Sequence, residues 1–279
     1  MPKSIRFKNF EDFINHNREF VNENPITNVF LIRNLGVAYS NRQIIIDFFN
    51  IEEQKERIIV LFLQQTCLIY GNLTSKSSIE LLSKELNFEK FKNYNFAGNR
   101  GIVHQLLDYN RSEYDETKYL SSYKCTSINE IATDDSIGIT IAKIENFLEV
   151  KKIHQEFNNE FYAGYDNVPE ISDEDLENDL RSGNFFIIKN ETEIMSIACY
   201  RKEFEFPELN FVFTKNDYRG NGYAKALTHF ITSFLLQNQN EFVMLYTKGD
   251  NLGARKCFED VGYNLIDEYT MTFKKDDVS

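Results

Sequence analysis

The turn between an apolar, strand-like segment and a helix-like segment is the most informative feature of the sequence. The run from Leu209 to Thr214 is rich in β-prone residues, and a helical pattern begins near Gly222. Between them, Gly220 and Gly222 leave the backbone N–H groups unobstructed by a Cβ. Unpaired amides at a helix N-terminus attract anions. The spacing therefore predicts a cradle for a phosphate or pyrophosphate group.

Basic residues accompany this turn, although the surrounding half of the chain is acidic. They are Lys215, Lys225, Lys248, Arg255 and Lys256. Phosphate groups bind most strongly to charged donors, so these side chains strengthen the interpretation. A dinucleotide-binding fold is excluded because it needs G-x-G-x-x-G after the first strand of a βαβ unit.

Two motifs connect residues 137 to 275 with a known family. The turn spells R-x-x-G-x-A from Arg219 to Ala224. An N-x-x-A pattern followed by an aromatic residue and G-[FY] comprises Asn251, Ala254, Phe258, Gly262 and Tyr263. With these motifs and the predicted order βααβββαβαβ, the segment resembles the GNAT superfamily of N-acetyltransferases.

The resemblance implies coenzyme A binding. In the family the R-x-x-G-x-A turn binds the pyrophosphate, and the preceding strand binds the pantetheine arm through its backbone, as an added strand would. The residues expected to contact CoA are Val212, Phe213, Thr214, Arg219, Gly220, Asn221, Gly222, Tyr223, Ala224 and Asn251. The implied activity is N-acetyl transfer from acetyl-CoA, as co-substrate, to an amine by direct attack in a ternary complex.

Direct transfer needs a neutral amine, donors for the oxyanion and a proton for the leaving thiolate. Family members often carry a glutamate at the head of the fourth strand, which corresponds to Glu208, with Glu203 and Glu205 as local alternatives. In the last helix they often carry a tyrosine that protonates the leaving thiolate, and this chain has Phe258 at that position. The catalytic candidates are therefore Glu208 as base and Tyr246 as a substitute acid.

The departure at Phe258 leaves other functions open. The C-terminal half could be a CoA-binding interaction or regulatory module with degraded catalysis, or it could use a different acyl carrier. The acceptor could be a small-molecule amine or a peptide amine. The sequence does not distinguish among these.

The element pattern predicts two domains, residues 1–125 and 126–279. The C-terminal domain is predicted as α+β, with a mixed, mostly antiparallel sheet flanked by helices. In the smaller α/β N-terminal domain, helices over Phe10–Val21 and Thr27–Leu35, the second closed by Gly36, precede three strands and a helix. This order suggests a diverged GNAT-like repeat. Its nearest counterpart of the turn, residues 71–74, lacks the motif, so no CoA binding is expected there.

Charge and composition limit the partners. The first 125 residues carry a net charge of +1 and the rest −13, and an acidic body repels nucleic acid. No apolar run approaches the roughly 18 residues of a membrane span. Dispersed cysteines and single histidines predict no metal site and a reducing, cytoplasmic environment. The N-terminal domain could shape an acceptor pocket, form a homodimer or recognise a peptide.

Overall fold

The computed structural model describes residues 1–23, 25–130, 137–163, 168, 170–203 and 206–274. The chain divides into two compact units. The N-terminal unit comprises Met1–Ser122 and the segment from Asp267, and the C-terminal unit comprises Tyr123–Ile266. The predicted boundary at residue 125 lies three residues from this change of unit, but the return of the chain at Asp267 had no sequence signal.

The N-terminal unit contains short helices and the strands of a sheet. Its elements are β1 (Lys3–Arg6), α1 (Phe10–Glu23), α2 (Val29–Ser40), β2 (Ile45–Glu53), β3 (Glu56–Leu63), β4 (Thr66–Gly71), α3 (Lys76–Leu86), α4 (Phe88–Phe91), β5 (Asn95–Asn99), α5 (Arg100–Tyr109) and β6 (Tyr114–Cys125). Strands β1 to β4 pair antiparallel in chain order, and β5 joins β4 in parallel. The core lies between this sheet and helices such as α3 and α5.

The C-terminal unit has the same plan. Its elements are β7 (Ile139–Ile141), α6 (Phe147–Phe161), α7 (Asp173–Arg181), β8 (Phe185–Lys189), β9 (Ile194–Glu203), β10 (Phe206–Thr214), α8 (Tyr223–Gln237), β11 (Val243–Lys248), α9 (Leu252–Val261) and the first three residues of β12 (Asn264–Lys274). Strands β7 to β10 pair antiparallel in order, and β11 joins β10 in parallel. The predicted α+β class, mostly antiparallel sheet and repeated element order are confirmed.

Apolar clusters cover the two faces of the C-terminal sheet. Helices α8 and α9 pack on one face, with Leu227, Ile231 and Phe258 in the core. Helices α6 and α7 cover the other face, where Val150 and Leu176 are buried. Of the helices in the described ranges, none has both the length and the apolar character to cross a membrane.

Two predicted boundaries are wrong. Gly36 does not close its helix, because α2 continues to Ser40 and buries Ala38 beyond the glycine, and a helical glycine costs only about 1 kcal/mol. Strand β10 begins at Phe206, before the predicted start at Leu209, and it includes Pro207, since a proline is tolerated near a strand end. The residues of β12 from Asp267 onward belong to the N-terminal unit, where Tyr269 pairs antiparallel with Asn99 of β5.

Candidate active site

Strands β10 and β11 separate within the C-terminal sheet. Their parallel pairing joins Glu208 with Met244. Along the described residues that follow, from Leu209 to Thr214, the pairing with β11 is not continued. The backbone of β10 therefore lacks a neighbouring strand on one side as it approaches the glycine turn.

A β-bulge accompanies the separation. The register of β10 on β9 shifts between Asn210 and Phe213, and Phe211 has a left-handed backbone with φ 49°. A bulge inserts an unpaired residue and bends its strand. The ring of Phe211 is buried against Phe157 of α6, with ring centroids 4.9 Å apart. This packing stabilises a backbone conformation that a phenylalanine rarely adopts.

The polar backbone groups of Thr214 face the opening. In an antiparallel pair, successive residues alternate between groups directed at the partner strand and groups directed away. The Lys215 N–H donates to the Met195 carbonyl of β9, so the N–H and C=O of Thr214 point away from β9. Consistent with this, the Thr214 carbonyl accepts a 2.9 Å hydrogen bond from Nε of Arg219.

The turn that follows carries the two predicted glycines in left-handed conformations. Gly220 has φ 83° and Gly222 has φ 78°. A Cβ added to either would meet no protein atom within 4 Å, so space remains above the backbone. Gly222 caps α8 without a side-chain acceptor. The first-turn amides of α8 are therefore available to a ligand.

The turn and the separated strands open into one cavity of about 810 Å³. Of the residues expected to contact CoA, those that line it are Val212, Phe213, Thr214, Arg219, Gly220, Gly222, Tyr223, Ala224 and Asn251. Asn221 is not among its described lining residues. Its amide instead donates to the Tyr218 carbonyl at 3.0 Å and shapes the turn.

Only part of the predicted basic cluster reaches the cavity. The described lining includes Lys225, Lys248 and Lys256 together with Arg219. Lys215 instead binds Glu149 and Glu193, at 3.2 and 2.7 Å. Arg255 also lies outside the described lining, and it donates to the Tyr123 hydroxyl.

Two carboxylates also line the cavity, each bound to a lining cation. Oε2 of Glu160 lies 2.7 Å from Nη2 of Arg219. Asp260 forms an ion pair with Lys225, and the hydrogen bond from this lysine lowers the pKa of Asp260. The cavity is therefore less positive than its basic residues alone imply.

Helix α9 contributes a cap and an apolar wall. Oδ1 of Asn251 accepts the Ala254 N–H at 3.0 Å, which caps the helix, and Asn251 also lines the cavity. Phe258 is buried and lines the cavity. Cys257 lies beside it, and burial raises the pKa of its thiol to about 11. Tyr263 instead bonds Thr232 in the core.

The catalytic candidates share one face of the sheet, outside the described cavity lining. Glu208 lies opposite both Met244 of β11 and Arg201 of β9, and paired residues point to the same side. Tyr246, two residues after Met244, points to that side too. Glu208 is buried and accepts a 3.3 Å hydrogen bond from Asn210. Of the alternatives, Glu205 lies outside the described residues.

Helix α6 supplies lining residues that sequence reasoning missed. Phe157, Glu160 and Phe161 line the cavity from its last turns. The Lys248 ammonium lies 5.9 Å from the Phe161 ring centroid. The i, i+4 spacing of the two phenylalanines is visible in the sequence, but it is equally typical of a helix face that packs in a core.

The corresponding place in the N-terminal unit is closed. Strands β4 and β5 remain paired up to Ile69 and Gly98. Beyond them, Oδ1 of Asn99 accepts the Gly71 N–H at 2.6 Å, and the amide of Asn99 donates to Asp267 at 2.9 Å. Ser75 caps α3 by accepting the Ser78 N–H. The groups that are open in the C-terminal unit are occupied here.

Comparison with known proteins agrees with this architecture. The sequence model of the acetyltransferase (GNAT) family matches residues 150–263. This segment is a GNAT-family domain. The match spans the separated strands, the glycine turn and α9. Among curated proteins, none matches the sequence.

Solved structures extend the likeness over both units of the GNAT-containing chain. A GCN5-related N-acetyltransferase from Sphaerobacter thermophilus aligns with a TM-score of 0.55 at 11% identity, covering 81% of this chain and 80% of that chain. A GNAT-family acetyltransferase from Colwellia psychrerythraea aligns with a TM-score of 0.53 at 14% identity, covering 98% and 100%. At these identities the likeness concerns the fold. Within the described ranges, no group of His, Cys, Asp or Glu is placed to hold a metal ion.

Proposed function

We propose that the C-terminal unit is an acetyl-CoA-dependent N-acetyltransferase that acts on a small-molecule or peptide amine. The observation that carries the proposal is the separation of β10 from β11, which opens directly onto the glycine turn. A free strand edge can pair with the amide groups of a pantetheine arm. The turn then lies where the pyrophosphate would follow.

The cavity residues fit this co-substrate. Gly220 and Gly222 have positive φ and open space where a Cβ would be, so a phosphate can approach their backbone closely. The N-terminus of α8 adds partial positive charge. Lys248 at the end of β11 and Lys256 in α9 supply further cations to the cavity lining. Residues of this type in this arrangement suit a polyanionic nucleotide with an extended arm.

Acetyl-CoA, when bound, supplies an activated acyl thioester. The Thr214 N–H faces the opening and can donate to the thioester oxygen as negative charge develops there, which preorganised donors stabilise. Glu208, directly or through water, would accept the proton of the amine. Tyr246, on the same face of the sheet, would return a proton to the departing thiolate.

A second function, CoA binding without turnover, is favoured by one observation. Phe258 occupies the cavity wall where the family often has an acidic tyrosine, and a phenyl ring cannot donate a proton. Because free thiols titrate near ~8.5, a thiolate can leave without acid help. The substitution therefore weakens the case for catalysis without removing it.

Binding and turnover need separate experiments. Acetyl-CoA at one hundred times its dissociation constant should stabilise the protein by about 2.7 kcal/mol, which a thermal shift detects. An amine library should then be screened for release of CoA thiol. A shift with turnover on one amine supports the enzyme. A shift without turnover on any amine supports the binding module, and no shift contradicts both.

A further inference from the structure

Two cations that line the cavity, and that a phosphate ligand would need, already form ion pairs with carboxylates. Glu160 binds Arg219, and Asp260 binds Lys225. The four side chains are each between 36% and 49% exposed, and all line the cavity. An anion that approaches either cation therefore also approaches a carboxylate.

Helix stability does not explain these carboxylates. Glu160 lies in the last turn of α6 and Asp260 in the last turn of α9. The C-terminus of a helix carries partial negative charge, which disfavours an acidic residue there. Neither of these fully described helices has a basic residue in its last turn. The acidic side chains are therefore placed against the helix dipole and toward the cavity.

Arg219 is also held by further contacts. Its Nε donates to the Thr214 carbonyl, and its guanidinium carbon lies 5.5 Å from the Phe213 ring centroid. These two contacts do not involve Glu160. They can therefore keep the guanidinium oriented toward the cavity when the carboxylate of Glu160 is displaced or removed.

We propose that Glu160 and Asp260 are built-in counter-ions that the phosphates of CoA displace. Their carboxylates pair with Arg219 and Lys225, and binding exchanges each carboxylate for a phosphate group. The inference rests on the proposed function for the identity of the ligand. It predicts that the carboxylates lower the affinity for CoA, and that the effect requires phosphate groups on the ligand.

The test measures binding by calorimetry with the full chain. Glu160→Gln and Asp260→Asn should each lower the Kd of CoA about three- to five-fold, the range expected for releasing a surface ion pair. Acetylpantetheine, which lacks phosphates, should bind the variants and the wild type alike. Glu156→Gln on the same helix, whose partner is Lys152, and Asp250→Asn before α9 are matched charge controls and should leave the Kd unchanged.

A purely structural role for Glu160 would give the opposite result. If Glu160 mainly stabilises the turn, Glu160→Gln should weaken CoA binding, and that outcome would overturn the inference. The gain from Glu160→Gln should also disappear in an Arg219→Gln background, because the competition acts through that cation. Wild-type binding of CoA with no gain in either variant overturns this inference alone, whereas absence of wild-type binding overturns the proposed function with it.

Discussion

The two units share one order of strands and helices, but they differ at their parallel strand pair. In the C-terminal unit, parallel pairing of β10 and β11 stops at Glu208 and Met244. In the N-terminal unit, β4 and β5 stay paired to Ile69 and Gly98. In the C-terminal unit the two strands therefore separate toward the glycine turn, whereas in the N-terminal unit they remain paired.

Glycines show the physical difference most clearly. A Cβ on Gly98 would lie 1.8 Å from the Ile69 carbonyl oxygen, so this glycine permits two strands to approach each other. A Cβ on Gly222 would meet no protein atom, so that glycine leaves space for something else. The lesson is that a glycine near a strand end can close a site or open one, and only its neighbours decide which.

The strongest test of the comparison is Gly222→Val. The branched side chain would fill the open space above the turn, and we expect CoA affinity to fall about a hundred-fold or more. Gly183 has a similar φ of 73° and equally open surroundings, yet lies outside the described cavity lining. Gly183→Val is thus a matched control, with the same backbone strain of about 1–2 kcal/mol but normal CoA affinity. Equal losses in both variants would refute the phosphate cradle.

Chemistry should depend on the C-terminal unit through Glu208. If it is the base, Glu208→Gln should lower turnover about a hundred-fold, while CoA binding persists. Turnover should rise with pH, because an alkyl amine with a pKa near ~10.4 arrives mostly protonated. Pre-steady-state acetylation across the pH range, with Glu203→Gln in parallel, measures this. Wild-type turnover in Glu208→Gln would transfer the assignment elsewhere.

Substitutions of Tyr246 and Phe258 test which side chain protonates the leaving thiolate. Tyr246→Phe should reduce turnover less than Glu208→Gln unless Tyr246 is the acid, and Phe258→Tyr should preserve or raise the rate by adding a phenol to the cavity wall. Solvent isotope effects on thiol release distinguish these two cases. A rate in Phe258→Tyr far below wild type would show that the apolar wall itself is needed.

The closed site of the N-terminal unit should respond in stability rather than in binding. Asn99→Ala leaves the Gly71 N–H without its acceptor and Asp267 without its donor. A buried group left unsatisfied costs about 1–3 kcal/mol, which denaturant unfolding measures. CoA affinity should not change. A changed affinity would mean that the two units are not independent in this respect.

The smallest expected effect is a pH dependence from Asp267. Burial raises the pKa of this carboxyl from 3.8 to about 6. Its neutral form is favoured in the folded state, so its contribution to stability is complete below pH 3.8 and is lost as the pH rises through 6. The full loss amounts to about 3 kcal/mol, of which about 1.4 kcal/mol falls between pH 5 and pH 8. Asp267→Asn should remove this component from the difference between unfolding curves at pH 5 and pH 8, whereas an unchanged difference would exclude Asp267 as its source.

Local patterns predicted much of this molecule. The helical pattern that begins near Gly222 and the βααβββαβαβ order depend on neighbours in sequence, and both are confirmed. The motif from Arg219 to Ala224 likewise encodes a turn and a helix start, because glycine conformations are local properties.

Only the tertiary structure decided what these elements form together. Strand register and the place where two strands part depend on packing between residues far apart in sequence, as with Phe211 against Phe157. The same holds for the pairing of β12 with β5, for Glu160 on Arg219, and for Asn221 turned back onto its own loop. Such contacts produce no periodic pattern in the sequence, because the residues around each partner are compatible with several arrangements. The sequence by itself therefore determined the elements and the turn, and the fold determined which turn is open.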